Sequence, residues 1–456
     1  MYGLGETNWF NSDIGLKQGC VLSPILFALY LLKTGEKLLQ TGVGIKFLDE
    51  RVPALFFADD MVLMSDKKDD LNKLLRVLGG MLAKTRLEIN CKKSQVLVIK
   101  GSKDETYNWN IYSHNQEIVG DLDEVRSYKY LGIINKGGLN PYNEHLTKMV
   151  TRAKQLSGAV RSKARDAWDP VTVGDKLWNC MACPAILYGC EILQMNQSTY
   201  DKLEVAQNSM GRSILGARKF CSVAAIRNEL GWKSMRSRIY ESKLKFWGKI
   251  IYQDDSRWAK ASFLSSIYEG WRCKWHEEIM EIRRQLGIYT TVGINSYKEW
   301  CTRVKNAINE YERSTFATAK ASMKTLMWYN SPFNEKKKLL PYIDGSKAAS
   351  AFFNVKAGSW VLKHVDKGYA KCKLCGENDS EIHRLISCKE LQSERINLGL
   401  EPLISDIRND SKSDIETLGS LTMGSKSECL ARGKMFLAIQ DYLDSDKKNP
   451  SGLGGP

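Results

Sequence analysis

Apolar positions in this chain recur with two different periods, and the first 135 residues switch between them. Leu71, Leu74, Leu75, Leu78, Met81 and Leu82 fall at helical spacing, which predicts an amphipathic helix over 70–84. Pro24 to Leu39 reads as another helix, with proline in the first turn, where its missing N–H costs nothing. Ala54 to Met64 is an apolar strand pair interrupted by Ala58, Asp59 and Asp60, and Val96–Ile99 and Ser127–Ile134 read as strands. The mixture predicts an α+β layer, an antiparallel sheet with helices on one face.

From about 140 to 365 the pattern is mostly helical. Leu146, Met149, Val150, Ala153, Leu156 and Val160 cluster on one helix face. Lys148, Arg152 and Lys163 flank that face on one side, and Lys154, Arg161 and Arg165 on the other. No Asp or Glu occurs between 146 and 165, so the helix can pack on a core and still offer its shoulders to phosphates. A solvated surface helix accounts for the same pattern. The segment 366–392 is short and rich in Cys and His, 393–448 reads as helices of mixed charge, and the Gly/Pro-rich tail 449–456 reads as disordered.

Composition narrows the class. A length of 456 residues predicts several domains. A formal net charge of +15 favours an anionic partner, most simply nucleic acid. Most of the twelve cysteines, Cys20, Cys91, Cys221 and Cys301 among them, are scattered singly, unlike a disulfide framework. Met1 to Asn11 lacks the pattern of a signal peptide, and the longest apolar stretch, Cys20 to Leu32, contains Pro24 and is short for a membrane span. The expected setting is intracellular, nuclear or cytoplasmic.

Two constellations carry chemistry. In Leu55-Phe56-Phe57-Ala58-Asp59-Asp60-Met61-Val62-Leu63, adjacent acids interrupt an apolar hairpin. Inside such a hairpin their repulsion and desolvation are costly without a cation, and hard oxygen ligands suit magnesium. A simple acidic turn is the plain alternative. The second constellation is Cys372, Cys375, His383 and Cys388, spaced C-x2-C-x7-H-x4-C. Thiolates and an imidazole in a four-ligand set predict a closed, structural zinc knuckle, with Gly376 easing the turn after the first two cysteines.

The acid pair does not stand alone. Upstream lies Gly15-Leu16-Lys17-Gln18-Gly19-Cys20-Val21-Leu22-Ser23-Pro24; downstream lie Leu87 to Ser94 and Tyr128-Lys129-Tyr130-Leu131-Gly132. In order and spacing these four blocks resemble the reverse transcriptases of non-LTR (LINE-like) retrotransposons. The resemblance implies that Asp59 and Asp60 ligate Mg2+ and that Gln18 and Gly19 lie along template and incoming nucleotide. It implies that Lys93 protonates the leaving pyrophosphate and that Tyr130, Leu131 and Gly132 position the primer end. By it, 1–135 is a partial polymerase palm, 136–260 a thumb-like helical region and 261–365 a helical linker region. The 366–392 knuckle and the helices 393–448 would follow. Ala185 to Glu191 and Glu229-Leu230-Gly231-Trp232 continue the likeness, and a C-C-H-C module at this place matches the family. Implied partners are an RNA template and a DNA primer or target, with no membrane.

One family motif, F-D-x-x-x-A-F-D, has no counterpart here: Glu6 is the only acid before residue 13, and Asp13 adjoins the Gln18 block. A site short of one ligand arm is not expected to hold two magnesium ions. The chain alone is therefore expected to be inactive, with an upstream polymerase segment as a possible partner. The alternative function is a non-catalytic, nucleic-acid-binding zinc protein derived from such an element. Trp247, Trp258, Trp271, Trp275 and Trp300 are expected in the core.

Overall fold

Pro24 opens helix α1 (Ser23–Leu39), and Ser23 Oγ donates to the Lys17 carbonyl at 2.9 Å, tying the preceding turn to the helix start. Helix α2 (Lys68–Lys84) has Asp69 and Asp70 in its first turn and Lys84 in its last, the charge order its dipole favours. Leu74, Leu78 and Leu82 of α2 pack with Leu31, Leu38 and Val43 in one core, against which Phe27, Ala54, Met61 and Leu63 rest. The Tyr30 hydroxyl donates to the Thr85 carbonyl and joins α1 to the end of α2.

The computed structural model describes residues 15–99, 108–113, 115, 117–138, 140–269, 273–327, 329–334, 338–360, 371–372, 374–408 and 413–445. Met1 to Asn11, Glu6, Asp13, Trp271, Tyr369, Lys373 and the tail 449–456 lie outside them. The chain divides into two units, 1–144 with 253–273, and 145–252 with 274–456.

Among the described residues, nine strands belong to the first unit. β1 (Ile45–Phe47) pairs with β2 (Glu50–Val52), and β3 (Ala54–Phe57) with β4 (Asp60–Leu63), both antiparallel. β5 (Gln95–Leu97), β6 (Trp109–Tyr112) and β7 (Ile118–Val125) form a three-stranded sheet in the order β5-β7-β6. β8 (Ser127–Tyr130) and β9 (Ile133–Lys136) form the last antiparallel hairpin. The class is α+β, but among the described residues the single antiparallel sheet expected from sequence is replaced by small ladders. In the three-stranded sheet β7 pairs antiparallel with β6 on one side and parallel with β5 on the other. Leu75, Val96 and Trp109 form the core beneath this sheet. A Cβ on Gly79 would meet the Tyr112 carbonyl oxygen at 1.9 Å, so α2 crosses β6 at a point only glycine fills. Helix Trp258–Tyr268 joins this unit through Ser265, whose Oγ accepts from the Leu48 amide at 3.0 Å.

Among its described residues, the second unit is helical apart from the short Lys371–Asn378 bridge. Helix α3 (Asn143–Arg165), whose first two residues belong to the first unit, buries Leu146, Met149, Val150, Ala153 and Val160, the predicted stripe; Leu156 is half-buried. Helix α4 (Pro170–Leu177) is capped by Asp169, which accepts from the Thr172 amide at 3.0 Å. It runs through a π turn at Trp178–Ala182 into α5 (Cys183–Leu187). α6 (Gln197–Leu215), α7 (Val223–Leu230) and α8 (Met235–Ile251) follow. Later come helices Lys274–Gln285, Tyr297–Ser322, Lys347–Lys356 and Lys426–Ser445. Trp247 and Trp300 are buried with ring centroids 4.9 Å apart, and the Trp300 indole donates to the Leu244 carbonyl at 2.7 Å. Trp258 and Trp275 are half-buried. No helix among the described residues is long and apolar enough to cross a membrane.

Candidate functional site

Asp59 and Asp60 sit at the tip of the β3–β4 hairpin. Phe57 pairs with Asp60, so Ala58 and Asp59 form a two-residue turn. Ala58 has φ +51°, a left-handed conformation that costs a residue with a Cβ roughly 1–2 kcal/mol. Both carboxylates are exposed, as are Leu55, Phe56 and Phe57. The desolvation expected from the apolar sequence is therefore absent, because the tip projects outward while Ala54, Met61 and Leu63 pack on the core at its base. Among the described residues, no third His, Cys, Asp or Glu joins the pair in a metal-sized group. Two adjacent oxygen donors fit a hard cation only as part of a larger ligand set.

The other blocks converge in part. β8 and β9 are joined by Leu131 (φ +45°) and Gly132 (φ +84°), the two positive φ values of a type I′ turn. Burial, then the Asp60 carboxylate and Tyr128, push the Tyr130 phenol above its ordinary range. Tyr128 donates its hydroxyl to the Lys93 carbonyl at 3.3 Å. Lys93 is exposed, and its amide donates to the Asn90 side chain at 3.2 Å, which holds the turn carrying it. Gln18 and Gly19 lie exposed in the turn before α1, with Gly19 at φ +84°.

On α3, Lys148, Arg152, Lys154, Lys163 and Arg165 are exposed. Arg161 is half-buried and donates to Ser209 Oγ of α6 at 3.1 Å, so part of its guanidinium serves packing.

Cys372, Cys375, His383 and Cys388 come together, with one potential ligand atom from each within 4.8 Å of all the others. Cys375 Sγ lies 3.2 Å from His383 Nε2 and 3.9 Å from Cys388 Sγ, and Cys372 Sγ lies 4.0 Å from Cys388 Sγ. Tetrahedral ligands at about 2.3 Å from zinc stand about 3.8 Å apart, so the set fits zinc, whereas a disulfide needs about 2.05 Å. Gly376 turns back at φ +77°, its amide donating to the Cys372 carbonyl at 2.8 Å. A π turn over His383–Ser387 delivers the histidine, and the buried Arg395 donates to the Cys388 carbonyl at 2.8 Å. Arg384 is paired with Asp379, so it is a brace of the module more than a free cation; Lys371 and Lys389 are exposed.

Comparisons with known proteins bear on the first unit. Residues 4–135 match the family model of reverse transcriptase (RNA-dependent DNA polymerase). The chain is similar to an uncharacterized transposon-derived protein of Caenorhabditis elegans, 26% identical over 165 residues, 36% of this chain and 56% of that protein. It is similar to Pol polyproteins of R2 retrotransposable elements from Nasonia vitripennis and Drosophila melanogaster. The first is 30% identical over 132 residues, 28% of this chain and 13% of the polyprotein; the second is 33% identical over 126 residues, 26% and 11%. The chain thus spans about half of the first relative and a small part of the others. Over residues 4–135 the chain thus carries the reverse-transcriptase match, and its partial likeness to the R2 polyproteins supports a fragment of the non-LTR kind.

Sequence reasoning missed β6 and β7, which build the sheet under α2. The alternation of Gly120 and Leu122 with Asp121, Asp123 and Glu124 was the signal available.

Proposed function

We propose that this chain is the palm-and-thumb part of an RNA-directed DNA polymerase of a non-LTR retrotransposon, one that needs a further polymerase segment for activity. The observation that carries this reading is the acid pair on the tip of the β3–β4 hairpin inside the segment that matches the reverse-transcriptase family. In it, Asp59 and Asp60 hold magnesium, which when bound polarises phosphoryl oxygens. Lys93 donates a proton toward the departing pyrophosphate, a role for an exposed cation beside the primer hairpin. Tyr130, Leu131 and Gly132 present the primer end, and Gln18 and Gly19 border template and nucleotide. Lys148, Arg152, Lys154, Arg161 and Arg165 belong to the thumb, contacting backbone phosphates of the RNA–DNA product. The Cys3His module is a structural zinc site, closed by its four ligands.

The face of α1 supports a further polymerase segment as partner. Leu22, Ile25, Leu26, Leu29 and Leu32 form a helical stripe, each at least half exposed, while Leu31 and Leu38 on the other side are buried. A helix apolar on both faces is made to be covered on both. The second reading, a non-catalytic nucleic-acid-binding protein, is favoured by the Cys3His module and the basic α3. Primer extension by the purified chain tests the proposal. No synthesis by the chain alone, and Asp59-dependent synthesis once a further polymerase segment is supplied, are the expected results; salt-dependent binding of primer–template without synthesis in either case favours the second reading. Template-directed synthesis abolished by Asp59→Ala would overturn the need for a further segment.

A further inference from the structure

The C-terminal ends of α3 and α6 lie side by side. Arg161 of α3 bonds Ser209 of α6 at 3.1 Å, and a Cβ placed on Gly174 of α4 would touch Ala164 Cβ and Ile214 Cγ1 at 3.4 Å each. The loops 166–169 and 216–222 therefore leave the same end of this helix layer. Each presents a large aromatic to water: Trp168 is 91% exposed and Phe220 76%. Neither ring serves the core, and such apolar surface is normally withdrawn from water.

The loops are held by hydrogen bonds. Asp169 caps α4, and the Ala167 amide donates to the Ala164 carbonyl at 3.2 Å. Across the second loop, the Ala217 amide donates to the Arg212 carbonyl at 2.9 Å and the Arg218 amide to Asn354 Oδ1 at 3.1 Å. Lys219 Nζ stands 6.0 Å from the Phe220 ring centroid, and exposed Lys163 and Arg165 shortly precede Trp168 in the chain, at the end of α3. Asp166 and Asp169 are the acids of the first loop, and the Asp169 carboxylate is committed to its cap; no acid occurs between Glu204 and Glu229.

Rigid exposed aromatics interleaved with cations are the chemistry that receives unpaired bases, since every base has a face to stack and a phosphate to neutralise. We propose that Trp168 and Phe220 form a stacking platform for single-stranded nucleic acid, with Lys163, Arg165 and Lys219 taking its phosphates. This rests on the reading that the second unit binds nucleic acid, and it adds a preference that α3 alone would not give.

Fluorescence anisotropy of the full chain, with labelled oligo(dT) and with a duplex of equal length, tests it. Trp168→Ala and Phe220→Ala should each weaken oligo(dT) binding about 5- to 150-fold, leaving duplex affinity and the salt slope unchanged. Trp168→Phe should restore most of the loss. Lys163→Ala with Arg165→Ala should instead flatten the salt slope. Parent-like oligo(dT) binding by both aromatic variants overturns the platform while leaving the phosphate reading intact. Equal losses on strand and duplex overturn it as well, and favour these rings as a protein-docking patch or a structural element. A parent chain that binds neither ligand removes the broader reading and the platform with it.

Discussion

Glu229 has no exposed surface, and its carboxylate is encircled. Oε1 accepts from Tyr329 at 2.5 Å and lies 2.8 Å from Lys356 Nζ, while Oε2 accepts from Tyr342 at 2.6 Å. Lys356 is 4% exposed, and its ammonium lies 5.4 and 5.3 Å from the ring centroids of Tyr329 and Tyr342. Burial, followed by the Glu229 charge, pushes both phenols well above their ordinary range, so they stay donors. Glu229→Gln preserves the shape but leaves the Lys356 charge buried without its counter-ion. Breaking a buried pair from one side costs about 3–5 kcal/mol. At roughly 2–4 °C per kcal/mol for a unit of this size class, the thermal midpoint should fall by about 6–20 °C. Lys356→Met should fall by a similar amount, and the double variant by clearly less than the sum, because neither charge is then orphaned. Circular dichroism melts of the four proteins give the cycle. Single variants melting within about a degree of the parent, as surface changes do, or strict additivity, would refute the reasoning.

Three further outcomes follow from the same structure. Metal analysis of gently purified protein should find about one zinc per chain. Cys372→Ser should lose it and render the C-terminal helices protease-sensitive, and a zinc-free parent with an unchanged variant would defeat the assignment. On α1, Ile25→Glu with Leu29→Glu should leave the melting temperature unchanged, because both side chains are more than half exposed, and should weaken capture of a supplied further polymerase segment in a pull-down. A large loss of stability would show that the stripe is already covered.

What could be read from the sequence was what is local. Proline at the start of α1, the leucine stripe of α2 and the apolar face of α3 each follow from spacing within one element. The Cys/His spacing likewise anticipates a cluster closed by one turn and one helix end. The acid pair was legible as a hairpin interruption, but its exposure was not, since Leu55, Phe56 and Phe57 look like core residues and are left in water. The sheet order was hidden because β5 finds β7 across an intervening strand, and β7 presents an acid-rich outer side. Glu229 could not be singled out, for its partners lie 100 or more residues further along the chain. Nor could 253–273 be assigned to the first unit, because the Ser265 contact with Leu48 spans 217 residues.

The hairpin turn of Ala58 and Asp59, with Asp60 at the start of β4, is the place proposed to receive the divalent ion. Iron(II) in place of magnesium, with ascorbate and peroxide, cuts the backbone beside the bound ion. Apart from cuts near the Cys3His module, cleavage should fall at the 58–60 turn and near Tyr130, and Asp59→Asn with Asp60→Asn should abolish it. Cleavage absent from both places, or unchanged in the double variant, would mean that this turn receives no divalent ion.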